Sequence, residues 1–301
     1  MDRFREMTCF VAVVEAGSFV AASESLRVSK AAVSRAVVDL ETRLGARLIQ
    51  RTTRRLSITE AGRAYYGRCK QILAEVDEAD GAVGEVTGHP TGTLRINAPF
   101  SFGIRHLAPL WGPFMARYPD VALEIDLSDR LVDVVDEGYD AVIRISRLRD
   151  STLVYRRLAT TRVVACATPD YLARAGTPAS VESLAEHAVI GYAYAGEGDL
   201  WRFTTPDGER DVLTRPRLRA NNGDTCLAAA LAHQGIALQP DFMAGDDLAA
   251  GRLVDVLPAC RGPELGIYAV YPSRKHLSVK VRVLVDFLAE AFAQPPWQTL
   301  S

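Results

Sequence analysis

The sequence predicts a two-domain α+β chain: a small helical head that ends in a β-hairpin, a long linker helix, and a C-terminal α/β domain. Three observations predict it. Capped helices of regular spacing fill the first sixty residues, an apolar seam steps by four and three residues from Tyr65 to Val86, and strand-like and helix-like runs alternate from Thr93 onward.

At roughly 100–200 residues per domain, a chain of 301 residues holds a small domain and a larger one. Its 48% hydrophobic and 24% charged content is that of a folded chain. The net charge of −2 names no partner, but its distribution is uneven. Up to Thr59 there are ten basic side chains against six acidic ones, a surplus of four that leaves the remainder near −6. A basic end on an acidic chain points to nucleic acid.

Met1–Glu6 carries charges of both signs, and the apolar stretch Cys9–Val14 is short and followed by Glu15, so no secretory leader is expected. No apolar run reaches the ~20 residues of a membrane span. The five cysteines (Cys9, Cys69, Cys166, Cys226, Cys260) are widely spaced and form no CxxC or Cys/His cluster. Neither a zinc site nor a disulfide framework is predicted, and no metal or other cofactor. Reduced thiols and a cytoplasmic location are the expectation.

Phe4, Met7, Phe10, Val11 and Val14 recur at helical spacing, which predicts a helix over Asp2–Ala16, ended by Gly17. Ser18 caps a second, short helix with Phe19, Ala22 and Leu26 inward. Arg27 and Val28 turn the chain, and Ser29 caps a third helix, Lys30–Leu44, stopped by Gly45. Val33, Val37, Leu40 and Leu44 should pack inward, leaving Lys30, Ala31, Ser34, Arg35 and Val38 outward. Small residues permit close approach to a major groove, and Ser34, Arg35 and Lys30 can reach base edges or phosphate. The capping serines Ser18 and Ser29 are counted with this DNA-facing set. The run Arg47–Arg51, then Thr52-Thr53-Arg54, then Arg55–Ile58 reads as two short strands around a basic tip, a wing. Arg51, Arg54 and Arg55 would then lie near the sugar-phosphate backbone or the minor groove.

Here a family resemblance becomes specific. Phe10–Phe19, Ala21-Ala22, Leu26, Ser29–Arg35, Leu40-Glu41, Leu44-Gly45, Leu48, Arg51 and Leu56–Gly62 form a long, gap-free pattern. It resembles the winged helix-turn-helix of LysR-type transcriptional regulators, and the wing Arg51-Thr52-Thr53-Arg54-Arg55 resembles one large branch of that family. The resemblance implies double-stranded promoter DNA and a small-molecule effector as partners. It also implies a homodimer, commonly assembled into a homotetramer and in some branches into larger rings, a choice the sequence leaves open, and it allows RNA polymerase as a further partner.

Tyr65, Cys69, Ile72, Val76, Ala79, Val83 and Val86 form a heptad seam across about three heptads. Such a narrow seam favours pairing with a second copy over packing on the chain's own domain, and the resemblance implies the same. Gly81 and Gly84 weaken the helix near its end, and Gly88-His89-Pro90-Thr91-Gly92 breaks it. The expected division is therefore a DNA-binding head over 1–59, a linker and dimerisation helix with hinge over 60–90, and an effector-binding domain over 91–301.

Within that domain the readable strands are Thr93–Asn97, Val121–Leu127, Asp140–Ile145, Arg162–Ala167, Ala188–Tyr192, Arg217–Ala220, Ile236–Leu238, Leu253–Val256 and Leu265–Tyr271. Helices are expected from Ser101 to about Tyr118 and over Leu131–Glu137, Pro169–Ala175, Asp224–His233 and Ser278–Ala293. The alternation predicts a mostly parallel sheet. The resemblance implies two lobes, as in periplasmic binding proteins, with lobe 1 over about 91–162 and 267–301 and lobe 2 over about 163–266.

Ligands of open α/β sheets sit beyond the carboxyl ends of strands. That rule selects Ser101 and Phe102, Ser128 and Asp129, Arg144 and Ser146, Thr168 at the crossover, Asn222 and Asp224 at a helix start, and Pro240. Trp201 and Phe203 could form an apolar wall. Ser101, Ser128 and Asn222 also match positions where family pockets lie. Helix N-termini at Ser101 and Asn222 would favour an anion, so a carboxylate effector is expected, although Asp129 and Asp224 add opposing charge.

Three other readings compete. For an enzyme the sequence offers no GxSxG, Walker loop, HExxH or dinucleotide fingerprint, and its five histidines (His89, His106, His187, His233, His276) are scattered. A transporter's solute-binding protein would need a leader and would have no use for the head. A thiol-based redox regulator could use Cys166 with Cys226 or Cys260, but free cysteines are more often packing residues.

Overall fold

The structure is a computed structural model that describes residues 2–51, 56–87, 89–147, 154–196, 198–272 and 277–297. The side chains of Arg51 and of linker residues 71, 74, 75 and 77–87 also lie outside the described set, as do Arg54 and Arg55 entirely. The chain forms two units, Met1–Gly92 with Asp133–Tyr139, and Thr93–Val132 with Asp140–Ser301.

In the first unit, α1 (Arg3–Ala16), α2 (Phe19–Ser25) and α3 (Lys30–Leu44) begin on Asp2, Ser18 and Ser29, whose side chains accept first-turn backbone N–H groups. Gly17 and Gly45 end α1 and α3 at φ 60° and 64°, a region where a side chain would be strained. β1 (Ile49–Arg51) pairs antiparallel with β2 (Leu56–Ile58), and α4 (Glu60–Thr87) follows. Phe10, Val13, Ala22, Val33, Val37, Leu40, Leu48 and Ile49 form the core. Burying each of the larger side chains contributes about 1.5–3 kcal/mol.

Three expectations shift here. The buried face of α1 is Glu6, Cys9, Phe10 and Val13, while Phe4 is 50% exposed. The phase turns because Glu6 is buried by Arg43, whose Nε and terminal nitrogen donate to Glu6 Oε2 at 2.9 and 2.7 Å. Leu44, expected inside, is exposed at the end of α3. Tyr65 and Cys69, read as the start of a dimer seam, pack on the head's own core instead. Cys69 is fully buried, and the Tyr65 ring lies 5.9 Å from that of Phe10.

The stretch expected as a helix, Leu131–Glu137, is not one. Asp133 Oδ1 accepts the N–H groups of Val135 and Asp136, both at 2.9 Å, and so folds the chain into a side-chain-braced turn. This turn belongs to the first unit, where Lys70 Nζ donates to the Glu137 carbonyl at 2.8 Å.

The second unit opens with β3 (Gly92–Ala98). The single helix expected after it is three pieces: α5 (Phe100–Phe102), a π-turn over Gly103–Leu107, and α6 (Ala108–Arg117). Pro109, near the start of α6, has no N–H for a regular helical bond, which accounts for the wider turn before it. Then come β4 (Val121–Leu127), β5 (Ala141–Ser146), β6 (Val154–Ala167), α7 (Pro169–Ala175), β7 (Val189–Tyr192), the hairpin β8 (Leu200–Thr205) and β9 (Gly208–Leu213), and β10 (Leu218–Ala220). The unit closes with α8 (Gly223–Leu231), β11 (Ile236–Pro240), α9 (Asp241–Ala249), β12 (Val254–Asp255), β13 (Glu264–Tyr271) and α10 (Val279–Ala291).

Among the described residues one sheet runs β10-β7-β11-β6-β13-β5-β3-β4, with β12 on β6. It is mixed rather than mostly parallel. Parallel pairs stand on the flanks (β3 with β5, β7 with β10 and β11), and antiparallel pairs surround β6 and β13. The reason is β6, which spans 14 residues where a short strand over Arg162–Ala167 was expected. Its residues through Arg162 pair with β13, and from Val163 it pairs with β11. One strand thereby carries both halves of the sheet.

Candidate functional site

In the head, α3 presents Lys30, Ala31 and Arg35 exposed on one face, with Ser34 half-buried beside them. Val33, Ala36, Val37 and Leu40 anchor the opposite face. Ser29 Oγ accepts the Ala32 N–H and Ser18 Oγ the Val20 N–H, both at 3.2 Å, so these hydroxyls hold helix starts. The base of the hairpin is fixed by two residues that the sequence reading left without a role. Glu41 Oε1 accepts the N–H groups of Leu48 and Ile49 at 2.8 and 3.0 Å. Thr59 Oγ1 donates to the Arg47 carbonyl at 2.8 Å and accepts the Gly62 N–H at 2.9 Å. Glu41, Thr59 and Gly62 all stand in the quoted family pattern, which is the signal that could have found them. Arg54 and Arg55 of the expected basic tip, and the side chain of Arg51, lie outside the described residues. Ile72 and Val76 of the expected dimer seam are half-buried in this chain, and the side chains of Ala79 and Val83 are not described.

In the second unit, the starts of α5 and α8 come together. Ser101 Oγ donates to Asp224 Oδ2 at 2.6 Å, and Arg105 donates to Asp224 Oδ1 at 2.8 Å. Burial pushes the Asp224 carboxyl up, but the hydrogen bonds from Ser101 and Arg105 and the guanidinium charge outweigh it and hold the group below its ordinary range. Asn222 Oδ1 accepts the Thr225 N–H at 2.9 Å and caps α8. Asp129 Oδ1 accepts the Phe100 N–H at 2.7 Å, and Ser128 Oγ accepts the Arg130 N–H at 3.2 Å. Tyr192, at the end of β7, reaches Asp129. Burial first, then that carboxylate, push its phenol well above the ordinary value. Phe102 is fully buried and meets the Phe242 ring edge-on at 5.3 Å, just beyond Pro240 at the end of β11.

Ser101, Phe102, Ser128, Asp129, Asn222, Asp224 and Pro240 therefore gather around these strand and helix ends. Others do not join them. Trp201 and Phe203 are buried in a separate core with Leu184, Val212 and Ile236, so they pack the hairpin rather than wall a cleft. Thr168 caps α7, bonds His233 Nδ1 at 2.7 Å and lines, with Leu231 and Arg252, a concavity of about 480 Å³ away from that group. Arg144 donates to the Val132 carbonyl, and Ser146 pairs with Gly266 in the β5–β13 ladder. The sequence reading missed Arg105 and Tyr192. Arg105 is one helical turn beyond Ser101, and Tyr192 is at a strand's carboxyl end, so helical spacing and strand-end position are the signals that point to them.

A helix-turn-helix with a wing, carried on the same chain as a two-halved α/β sheet, defines a DNA-binding protein with a regulatory domain. Residues 4–63 match the model of the bacterial regulatory helix-turn-helix protein, lysR family, and residues 87–293 that of the LysR substrate binding domain. An HTH-type transcriptional regulator of Xanthomonas campestris pv. campestris is 38% identical over 283 residues, 93% of this chain and 82% of its own. CrgA of Neisseria meningitidis serogroup C is 36% identical over 286 residues, 95% of each. The structure of CrgA, a LysR-type regulator from Neisseria meningitidis, superposes with TM-score 0.62 at 35% identity, covering 96% of this chain and 98% of that one. The full-length Vibrio cholerae virulence activator AphB does so with TM-score 0.63 at 30%, covering 95% and 98%. The chain belongs to the LysR family of transcriptional regulators. It is a DNA-binding regulator of transcription and not an enzyme, from a family that binds promoter DNA and small-molecule effectors and forms oligomers.

Proposed function

We propose that this regulator reads a two-fold-symmetric promoter site through Lys30, Ala31, Ser34 and Arg35 of α3, with Arg51, Arg54 and Arg55 on the backbone beside it. The observation that carries the reading is the outward face of α3: small and basic residues exposed on a helix whose other face is locked in the core. Pairing through the linker seam beyond Cys69, at Ile72, Val76, Ala79 and Val83, supplies the two-fold axis. A homotetramer is the assembly we infer, acting with RNA polymerase on cytoplasmic DNA. No single helix among the described residues is long and apolar enough to cross a membrane.

The effector site in this reading lies where α5 and α8 begin, between the two halves of the sheet, which we take as lobes meeting near Arg162. A small carboxylate is the ligand class that Arg105, Ser101 and the start of α8 would recognise. Binding acts by biasing two states of the domain, which requires different affinity for each.

A thiol-based reading is less well supported. Burial pushes the Cys166 thiol up to about 12, and burial also raises Cys226 and Cys260, whereas oxidation proceeds through the thiolate. Thiol trapping after peroxide would reverse that judgement if it captured a Cys166 disulfide. The DNA-binding head argues against a solute-binding role.

The deciding experiment is a gel-shift salt series on the promoter fragment next to the protein's own gene and on scrambled duplex. Preference for the promoter fragment at physiological salt supports the reading, and equal binding to both overturns it.

A further inference from the structure

Asp224 is held as a ligand would be held. Each of its carboxylate oxygens receives a separate donor, Ser101 Oγ on Oδ2 at 2.6 Å and Arg105 on Oδ1 at 2.8 Å. The donors lie one helical turn apart after β3, and the acceptor lies in the first turn of α8, over a hundred residues later in the chain. A hydroxyl and a guanidinium converging on one planar carboxylate is the arrangement that recognises a free carboxylate as well. Ser101 is 4% exposed, whereas the side chains of Arg105 and Asp224 are each 36% exposed, so water and solutes reach the pair from outside. The backbone beside the pair is closely packed. A β-carbon on Gly223 would stand 3.0 Å from Met243 Sδ and 3.4 Å from Ser101 Oγ.

We infer that Asp224 is a built-in stand-in for a carboxylate effector: it engages Arg105 and Ser101 itself, and an incoming carboxylate must displace it. The inference rests on the effector site proposed above and adds to it the competitor and the residues contested. A protein whose binding-competent state is rare shows an affinity weakened by that fraction. If Asp224 holds the two donors in all but a few per cent of molecules, its removal should tighten carboxylate binding roughly ten- to a hundredfold. Asp224 would also set specificity, since an uncharged ligand of the same shape has nothing to gain from evicting it.

The test is calorimetric titration of full-length protein with benzoate and with succinate, using benzyl alcohol as the uncharged analogue of the first. Proteins compared are wild type, Asp224→Asn, Asp224→Ser, Arg105→Gln, and Asp224→Asn combined with Arg105→Gln. Two substitutions at 224 guard against one that misfolds, and melting curves identify folded variants. The expected result is at least a tenfold gain for one carboxylate in either 224 variant, no gain for benzyl alcohol, and loss of the gain in the double variant. A carboxylate that binds wild type and loses affinity in Arg105→Gln, but is no tighter in either 224 variant, overturns the stand-in while leaving the site in place. Carboxylate binding indifferent to both 105 and 224 overturns the site and the inference together.

Discussion

Gly62 lies so close to Leu48 that a β-carbon on the glycine would stand 2.2 Å from the Leu48 carbonyl oxygen. The oxygen is backbone and already receives the Thr59 N–H at 3.0 Å, so it cannot yield. The first turn of α4 is therefore pressed directly on the hairpin. Gly62→Ala should destabilise the head by about 1–3 kcal/mol. Urea unfolding followed by circular dichroism would show it, and an unchanged midpoint would mean that the contact relaxes freely.

Arg35 and Arg54 should fail differently. Arg35→Ala is expected to cost about 1–3 kcal/mol on the promoter site and to relax preference at one base pair. Arg54→Ala should weaken binding to any duplex and lower the salt slope by about one phosphate contact. Gel shifts on cognate and scrambled DNA across a salt series separate the two, and equal loss on both sequences for Arg35→Ala would remove it from base reading.

Val76 is the described position on which the pairing of linker helices can best be tried, because Tyr65 and Cys69 are occupied within the chain. Val76→Asp places a charge on the seam and should weaken self-association and promoter affinity together. Sedimentation velocity at matched concentrations would detect it. An assembly identical to wild type would show that the seam is not the interface.

His106 makes stability depend on pH. It packs among rings, with Trp297 at 4.6 Å and Phe102 at 5.2 Å, and its Nε2 meets the Phe242 carbonyl at 3.1 Å. Burial lowers its pKa from 6.5, so the folded imidazole stays neutral where the unfolded one takes a proton. The unfolded state then binds more protons, and stability falls as pH drops below about 6.5 until the folded group also protonates. Melting midpoints between pH 7.5 and 5.5 should decline more steeply in wild type than in His106→Gln. Parallel curves would place the sensitivity elsewhere.

The head was largely legible because its signals are local. Capping serines, stop glycines and helical spacing act within a few residues, and the structure follows them at Ser18, Ser29, Gly17 and Gly45. The errors came where a distant partner overrides the local pattern. Nothing in the local spacing places Glu6 inside until Arg43 is brought to it, and Cys69 reads as a seam residue until it joins the core cluster of Phe10 and Tyr65. Leu131–Glu137 looked helical because apolar spacing says nothing of an Asp133 side chain that bends the chain first. In the α/β domain, strand positions were readable, but whether Trp201 faces a cleft or a core depends on hairpin partners that no periodicity names. The Ser101–Asp224 contact was half visible: both residues were selected by strand-end reasoning, while Arg105 between them was not.

The exchange of partners along β6 limits how the regulatory domain can move. Both ladders share one unbroken backbone, so neither translation along the strand nor outright parting is available without rupturing several backbone bonds at once. Rotation about the strand's own axis is the soft coordinate, because sheets already accommodate a range of twist between neighbours. The domain is thus hung on a torsion bar that the returning strand β13 and the Phe102–Phe242 contact brace. A small angle at Arg162 and Val163 becomes a larger displacement at the outer strands, so a ligand bound at the proposed effector site, off that axis, would work with a lever.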